Sequence, residues 1–259
     1  INTIGLLFNI IFDPLLILGF GSIPALGVLG AALATVAAQI MVTICFVVVM
    51  IRSKVNDLKV DLFKKPDIVS MKTLCRLGLP GAVQSGSFTL IAMILGRLVA
   101  VYGAVPIAVQ KVGSQIESIS WMTAGGFSTA LGAFVGQNYG AKQYERIQKG
   151  YRTTLMLALG LGAFTTALLI FAGRPIFTFF LPEAEAIHQG TDYLKILGYS
   201  QLFMCIEITT QGLFNGLGRT YIPSIVGIIL TGARIPLAYV IGQPHVLGID
   251  GVWWAITLS

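Results

Sequence analysis

The chain has 259 residues, of which 55% are hydrophobic and 11% charged, and its formal net charge is +6. Soluble globular domains carry about 25% charged residues, so this composition excludes an ordinary cytosolic enzyme. The mean hydropathy is +0.83, and the apolar residues are gathered in long runs. These features together predict an all-α polytopic membrane protein.

Apolar runs of bilayer-spanning length follow one another along the chain. A membrane helix needs about 20 mostly apolar residues, whereas a membrane strand needs about 10 residues with strict alternation. Residues 40–51 show no alternation, which favours helices. We predict seven full spans and the start of an eighth, at residues 1–19, 25–51, 78–102, 107–135, 152–172, 193–217, 222–242 and from about 248.

Basic residues fall in every second connection between these spans. The connections after the second, fourth and sixth spans carry Lys or Arg, whereas residues 19–26, 103–106 and 242–247 carry none and only Arg174 marks the remaining outer loop. Because short basic loops stay in the cytoplasm, residue 1 is predicted to lie at the cytoplasmic face. The positive charge also indicates contact with anionic lipid head groups and not with nucleic acid.

An internal repeat links the two ends of the chain. Four positions near the start recur near the end at a nearly constant offset: Pro14, Gly27, Gly30 and Ala34 correspond to Pro236, Gly248, Gly251 and Ala255. Both copies run outward and then inward, which makes the repeat parallel and its unit six helices. The pattern predicts about twelve helices in two six-helix lobes, a transporter architecture with the substrate between the lobes.

This repeat divides the chain into three parts. Residues 1–51 are expected to be the last two helices of an N-terminal lobe. Residues 52–75, the longest and most charged connection, are expected to be a cytoplasmic linker between the lobes. Residues 76–259 are then the C-terminal lobe, truncated in its last helix.

Five segments together resemble the multidrug and toxic compound extrusion (MATE) transporters. They read NIIFDPLLILG at 9–19, GVLGAALAT at 27–35, LGLPGAVQ at 77–84, GQNYGA at 136–141 and GLGRTYIP at 216–223. The resemblance covers essentially the whole chain, which is similar to the family's fifth helix through the start of its twelfth. It implies a multi-pass protein of the plasma membrane that exports small organic, often cationic, compounds in exchange for H⁺ or Na⁺.

The resemblance leaves the coupling ion open. Some Na⁺-coupled relatives carry a carboxylate in the seventh helix, but residues 79–100 contain none and offer Gln84 instead. We therefore expect H⁺ rather than Na⁺ as the coupling ion.

Ionisable residues inside apolar spans are functional candidates because burying a charge in the bilayer is costly. Glu117 lies about 15 Å into its span, on a face with Gly113, Ser114, Ser120 and Trp121. It is either a cation or proton site on a cavity wall, or a structural partner of Arg97 or Lys111.

Glu207 is the second ion-coupling candidate. It lies twelve residues from both Lys195 and Arg219, hence about 18 Å from each end of its span. Its face includes Phe203, Gln211 and Asn215. The resemblance supports this face more than the exact position, since several relatives place the acid about one turn earlier. The alternative is a structural pair with Arg234 on the next helix.

Other polar and aromatic residues are candidates for a substrate cavity. They are Gln84, Trp121, Phe203, Gln211, Asn215 and Asp13. Trp121 either stacks on a cationic aromatic substrate or serves in packing. Asp13 either satisfies backbone groups freed by Pro14 or lines the cavity.

The sequence gives no pattern typical of an enzyme, a metal site or a cofactor site. The glycine-rich GQNYGA segment lacks the Walker spacing, and the three cysteines lack metal-type spacing. Serine, histidine and carboxylate residues form no hydrolytic pattern. The function predicted is therefore secondary active export by alternating access. A two-lobe flippase for lipid-linked oligosaccharides is the nearest alternative, and a passive channel or receptor is the third.

Overall fold

The protein is helical throughout the part of the chain that the computed structural model describes, residues 2–19, 24–52 and 67–259. In chain order the elements are α1 (Asn2–Leu18), α2 (Val28–Arg52), α3 (Ile68–Ala100), α4 (Ala104–Gly140), α5 (Tyr144–Phe180), α6 (Ala184–Gly216), α7 (Tyr221–Ile241) and α8 (Ile249–Thr257). Seven long helices and one short helix coincide with the seven spans and the partial eighth. The all-α prediction is confirmed.

Large apolar side chains lie on the outside of these helices. Phe171 is 85% exposed and Phe179 is 84% exposed, both on α5. Four helices, α2, α3, α5 and α7, are long and apolar enough to cross a membrane, and α1 is a shorter apolar helix. An exterior this apolar is suited to lipid and not to water, so the chain is a multi-pass membrane protein.

Several helices are longer than the apolar runs that predicted them. Helix α3 begins at Ile68 and not near residue 78, and α5 extends from Tyr144 to Phe180 around the predicted 152–172. Hydropathy marks only the hydrocarbon core, whereas a helix satisfies its own backbone hydrogen bonds and continues into the head-group region. Of the predicted linker 52–75, residues 53–66 lie outside the described residues, and residues 68–75 form the first turns of α3.

The chain divides into two compact units, Ile1–Pro66 and Asp67–Ser259. In the first unit, α1 and α2 form an antiparallel hairpin. Gly5 near the start of α1 lies against Val42, and Gly30 near the start of α2 lies against the backbone of Leu16. A side chain at either glycine would collide with the opposite helix, so both residues allow the close approach.

The second unit has four apolar clusters, two of which include residues of α8. One joins α4, α5, α6 and α8 through Val109, Phe177, Tyr193, Leu194 and Trp253, all 2% exposed or less. The other joins α3, α7 and α8 and includes Leu95, Val99, Ala238 and Val252. Because α8 contributes to both clusters, it connects the two groups of helices.

The repeated segments at the two ends of the chain adopt the same local structure. Gly27 precedes α2 with φ 55° and Gly248 precedes α8 with φ 58°, the left-handed region that favours glycine. Gly30 and Gly251 then pack against the backbone at the end of the preceding helix. Ala34 and Ala255, one turn later, are both fully buried. Shared backbone and packing requirements therefore explain the repeated residues.

Candidate functional site

Three charged side chains from three helices form the candidate site. Glu117 lies on α4, Glu207 on α6 and Arg234 on α7. We call these three residues the charge cluster. No Arg234 nitrogen lies within 4.0 Å of either carboxylate, and neither Arg97 nor Lys111 forms such an ion pair with Glu117. These three residues therefore form no direct ion pair with one another.

Arg234 is held in position by neutral groups. Its Nε donates a hydrogen bond of 2.9 Å to Ser259 Oγ, and Ser259 Oγ in turn donates one of 2.9 Å to the carbonyl of Ala255. The guanidinium carbon lies 5.9 Å from the ring centroid of Phe88 on α3, within the range of a cation–π interaction. Contacts on α3 and beyond α8 thus fix the arginine.

Glu117 lies at the interface between α4 and α6. Its neighbour across this interface is Tyr193, whose ring packs on Gly113, one turn before Glu117. The Oε1 atom of Glu117 is inaccessible to solvent and has no hydrogen-bond partner among the described residues. A buried, unpartnered carboxylate oxygen is costly, and such groups are concentrated at functional sites.

A second polar contact joins the same two helices one turn further along α4. Ser120 Oγ is within hydrogen-bond distance of Gln201 Oε1, at 2.6 Å, and it also donates to the carbonyl of Glu117. Both side chains are buried, with exposures of 4% and 1%. This contact fixes α4 relative to α6 beside Glu117.

Glu207 has different surroundings from Glu117. Its side chain is exposed, and its Oε1 accepts a hydrogen bond of 3.0 Å from Gln211 Nε2, one turn later on α6. Phe203, one turn earlier, is 69% exposed, and Asn215 is also exposed. The four residues therefore lie on one face of α6, which is exposed except at the half-buried Gln211.

The other predicted residues of the second unit lie on α3 and α4. Gln84 is half-buried on α3, where its amide group contacts Gly227 of α7. Trp121 on α4 is 48% exposed, and Arg97 on α3 is exposed. In the part of the chain that the structure describes, none of these three makes a hydrogen bond or an ion pair with the charge cluster.

Asp13 belongs to the first unit and has a polar neighbour that the sequence analysis did not single out. Asn9 lies one turn before Asp13 on α1. One side-chain oxygen of each, Oδ1 in both cases, is inaccessible and lacks a hydrogen-bond partner within the described ranges. We call these two side chains the oxygen pair of α1.

A cavity of about 530 Å³ lies between α4 and α5. Its walls are mostly apolar, with Ile116 and Leu168 on opposite sides and Glu117 at its edge. The described residues contain no group of three or more His, Cys, Asp or Glu side chains that could hold a metal ion. The three cysteines are free thiols.

Several members of the site were not identified from the sequence. Phe88, Tyr193 and Ser259 contribute through contacts between helices, and nothing in their sequence neighbourhood indicates those contacts. Gln201 did carry a signal, because it is a polar residue in an apolar run, of the same kind as the glutamines that were selected.

Comparison with known proteins gives relatives along nearly the whole chain. The chain is 30% identical over 247 residues to a probable multidrug resistance protein NorM of Thermotoga maritima, covering 95% of this chain and 53% of that protein. It is 28% identical to a probable multidrug resistance protein YoeA of Bacillus subtilis, covering 95% of this chain and 54% of that protein. The chain thus spans about half the length of these curated relatives.

Solved structures share the fold. A multidrug resistance MATE family transporter in an outward-facing conformation matches with a TM-score of 0.85 and 23% identity, covering 98% of this chain and 56% of that one. The Vibrio cholerae MATE transporter VcmN in a bent form matches with a TM-score of 0.81 and 21% identity, covering 99% of this chain and 57% of that one. The MatE family model matches residues 80–240, more than half of the chain, and the chain therefore belongs to the MatE family.

Proposed function

We propose that this chain is part of a secondary active multidrug exporter that exchanges organic cations for H⁺. The observation that carries the proposal is the charge cluster, two carboxylates and one arginine on helices of an apolar chain. Relatives with 28–30% identity are named as probable multidrug resistance proteins. A site with two acids and one base has a formal charge of −1 when both acids are ionised, which suits a proton or an organic cation.

The two carboxylates are proposed to have different tasks. Glu207 is exposed on a face that also carries Phe203, so it can meet a cationic aromatic molecule. Glu117 lies at the α4–α6 interface with one unpartnered oxygen, so it can exchange a proton without contacting a large substrate. Alternating access then lets the substrate and the proton use the site in turn.

The oxygen pair of Asn9 and Asp13 on α1 is a second candidate for the coupling ion. Its two unpartnered oxygens are hard ligands of the kind that a small cation or a proton prefers. A Na⁺-coupled mechanism would place its cation at this pair.

The alternative functions fit the charge cluster less well. A flippase for lipid-linked oligosaccharides must hold a pyrophosphate, and two carboxylates against one arginine would repel it. A passive channel does not require a buried acid with an unpartnered oxygen. Neither alternative explains why the unpartnered oxygen of Glu117 lies inside a helix interface.

Substitution of Glu207 tests the proposal in proteoliposomes that contain the protein. We expect Glu207→Gln to abolish ethidium efflux driven by a pH gradient while ethidium binding persists, because the amide mimics the protonated acid and cannot release a proton. Glu185→Gln, an exposed acid in the first turn of the same helix, is the matched control and should transport normally.

Two results would contradict this account. Efflux of normal rate and normal pH dependence in Glu207→Gln would remove the residue from the coupling mechanism. Efflux that responds to an imposed Na⁺ gradient and not to a pH gradient would move the coupling site to the oxygen pair on α1.

A further inference from the structure

We propose that the cavity between α4 and α5 binds one acidic phospholipid, with an acyl chain along the cavity and the head group at Lys111. The cavity has a volume of about 530 Å³ and is lined by α4 from Lys111 to Thr123 and by α5 from Leu161 to Phe180. We call it the lipid groove. The proposal goes beyond the export function, because it concerns a resident ligand and not a transported one.

The groove is open on one side because α6 holds α4 and α5 on the other. Tyr193 of α6 packs on Gly113 of α4, and Leu202 of α6 packs on Gly162 of α5. The lining residues Ser120 and Leu169 are buried, whereas other lining residues are exposed. The groove therefore has a closed inner side and an open outer side.

The open side of the groove is edged by large apolar side chains. Ile119 on α4 and Phe164 and Phe180 on α5 line the groove and are exposed. In a membrane protein, an exposed apolar edge of this kind lies against lipid. An acyl chain of the surrounding bilayer can therefore enter the groove from the side.

The hydroxyl groups of the lining are already used by hydrogen bonds within the protein. Ser120 donates to the carbonyl of Glu117 at 2.8 Å. Thr123 donates to the carbonyl of Ile119 at 2.7 Å, and Thr165 donates to that of Leu161 at 3.0 Å. A sugar or another polar ligand needs free donors and acceptors to replace its hydrogen bonds to water, whereas a hydrocarbon chain needs none. The walls thus favour a hydrocarbon occupant.

The dimensions of the groove match one leaflet of a bilayer. Lys111 and Thr123 are twelve residues apart on α4, which corresponds to about 18 Å along a helix. Half of the hydrocarbon core measures about 15 Å. The groove is therefore long enough to take an acyl chain from the level of the head group to the middle of the membrane.

Polar side chains mark one end of the groove. Lys111 and Gln115 line it one turn apart on α4, and both are exposed. Lys111 forms no ion pair within the described ranges. It lies about 6 Å inside the predicted start of its span at residue 107, so its flexible stem lets the ammonium group reach the head groups.

The charge of this end favours an acidic head group. Lys111 is the basic residue of the lining, and its ammonium group can donate hydrogen bonds to a phosphate. The amide of Gln115 can donate a further one. A head group with a net negative charge is attracted to this end, whereas a zwitterionic head group brings its own cation and gains less.

Native mass spectrometry of the protein purified in detergent tests the proposal. The probes are dioleoyl phosphatidylglycerol, which is acidic, and dioleoyl phosphatidylcholine, which has the same acyl chains and is zwitterionic. We expect the first phosphatidylglycerol to bind with a lower Kd than the first phosphatidylcholine. Lys111→Gln should raise the phosphatidylglycerol Kd about fivefold, the effect of one basic residue at a membrane surface, and leave the phosphatidylcholine Kd unchanged.

Matched controls separate the groove from the rest of the outer surface. Arg174 is exposed near the end of α5 but does not line the groove, so Arg174→Gln should leave the phosphatidylglycerol Kd unchanged. Leu168→Trp places a larger side chain in the groove and should weaken the binding of both lipids. Phe171 lies on the same helix, exposed and outside the lining, so Phe171→Trp should not weaken it.

Three results would overturn the proposal. Equal Kd values for the two lipids in the wild-type protein would remove the acidic site. An equal rise in the phosphatidylglycerol Kd for Lys111→Gln and Arg174→Gln would assign the binding to general surface charge. Unchanged binding in Leu168→Trp would place the acyl chain elsewhere, and if this variant does not fold, the comparison of Lys111→Gln with Arg174→Gln decides. Lipid binding needs no ion gradient, so a protein that binds phosphatidylglycerol without exporting ethidium would contradict the proposed function alone.

Discussion

Buried polar side chains in the second unit differ in whether their oxygen atoms have hydrogen-bond partners. Ser120 and Gln201 contact each other at 2.6 Å, so the cost of removing them from water is offset. Glu117, one turn away on the same helix, keeps an oxygen without a partner within the described ranges. Because a stability role would favour a partnered group, this contrast supports a functional role for Glu117.

Asp67 is a polar residue with a purely structural role, and it leads to a prediction about pH. It caps α3 by accepting hydrogen bonds from the amides of Val69 and Ser70 and from the Ser70 hydroxyl. These bonds hold the pKa of the Asp67 carboxyl below its usual range. A group with a lowered folded pKa stabilises the fold above its unfolded pKa and loses that contribution as the pH falls through the folded pKa.

We therefore expect the first turn of α3 to fray in acid, below about pH 4. The rate of hydrogen exchange at the Val69 and Ser70 amides, corrected for the intrinsic effect of pH on exchange, would measure this fraying. Asp67→Ala should exchange roughly fivefold faster already at neutral pH, and Asp67→Asn, which caps without titrating, should show no acid step. Unchanged protection in Asp67→Ala would contradict the capping role.

Individual site residues could be predicted from the sequence only where their chemistry conflicts with their surroundings. Glu117, Glu207 and Arg234 are charges in apolar runs, and this conflict identified them. Phe88 and Tyr193 are ordinary residues for a membrane helix, and their roles arise from which helices pack together. Such contacts depend on tertiary structure, so no pattern within a single helix indicates them.

At the scale of elements, the positions of the helices were predicted and their ends were not. A run of about 20 apolar residues requires a helix because lipid offers no hydrogen bonds. Where the helix ends depends on caps and turns. Examples are Asp67 before α3, and Gly218 with φ 72° between α6 and α7. Hydropathy does not report on these features, which explains why α3 begins ten residues earlier than expected.

Packing between α4 and α6 depends on close backbone approach. A Cβ atom at Gly212 of α6 would collide with the backbone of Ser128 on α4, and one at Gly216 would lie 2.6 Å from the carbonyl oxygen of Gly132. Small residues spaced by four on both helices are typical of close helix pairs in membranes. This crossing lies on the same two helices that carry Glu117 and Glu207.

We expect Gly212→Ala to destabilise the protein by about 1–3 kcal/mol, because an added methyl group must separate two backbones. Gly126→Ala on α4 is the matched control, since no atom lies within 4 Å of its added Cβ. It should be neutral or stabilising by up to about 1 kcal/mol. Thermal unfolding in detergent, followed by circular dichroism, would compare the two. Equal melting temperatures for the two variants would contradict this prediction, because they would show that α4 and α6 can move apart without a loss of stability.

At the scale of the whole molecule, the distribution of charge determines orientation. Lys142, Arg146 and Lys149 follow the end of α4 or begin α5, whereas residues 242–247 between α7 and α8 carry no Lys or Arg. The sequence predicts three spans between these connections, at residues 152–172, 193–217 and 222–242, so an odd number of predicted crossings separates them. The charge bias and the helix count therefore agree that the two connections lie on opposite sides.

Labelling of single cysteines with a membrane-impermeant maleimide tests this orientation. Cysteines at exposed His245 and exposed Arg146 are introduced after replacement of Cys45, Cys75 and Cys205. We expect position 245 to react in intact cells and position 146 to react only after permeabilisation. A third cysteine at Lys59, outside the described residues, should behave like position 146 if the predicted linker is cytoplasmic. Reaction at 146 and 59 but not at 245 in intact cells would invert the whole arrangement, and with it the direction in which the charge cluster exchanges protons.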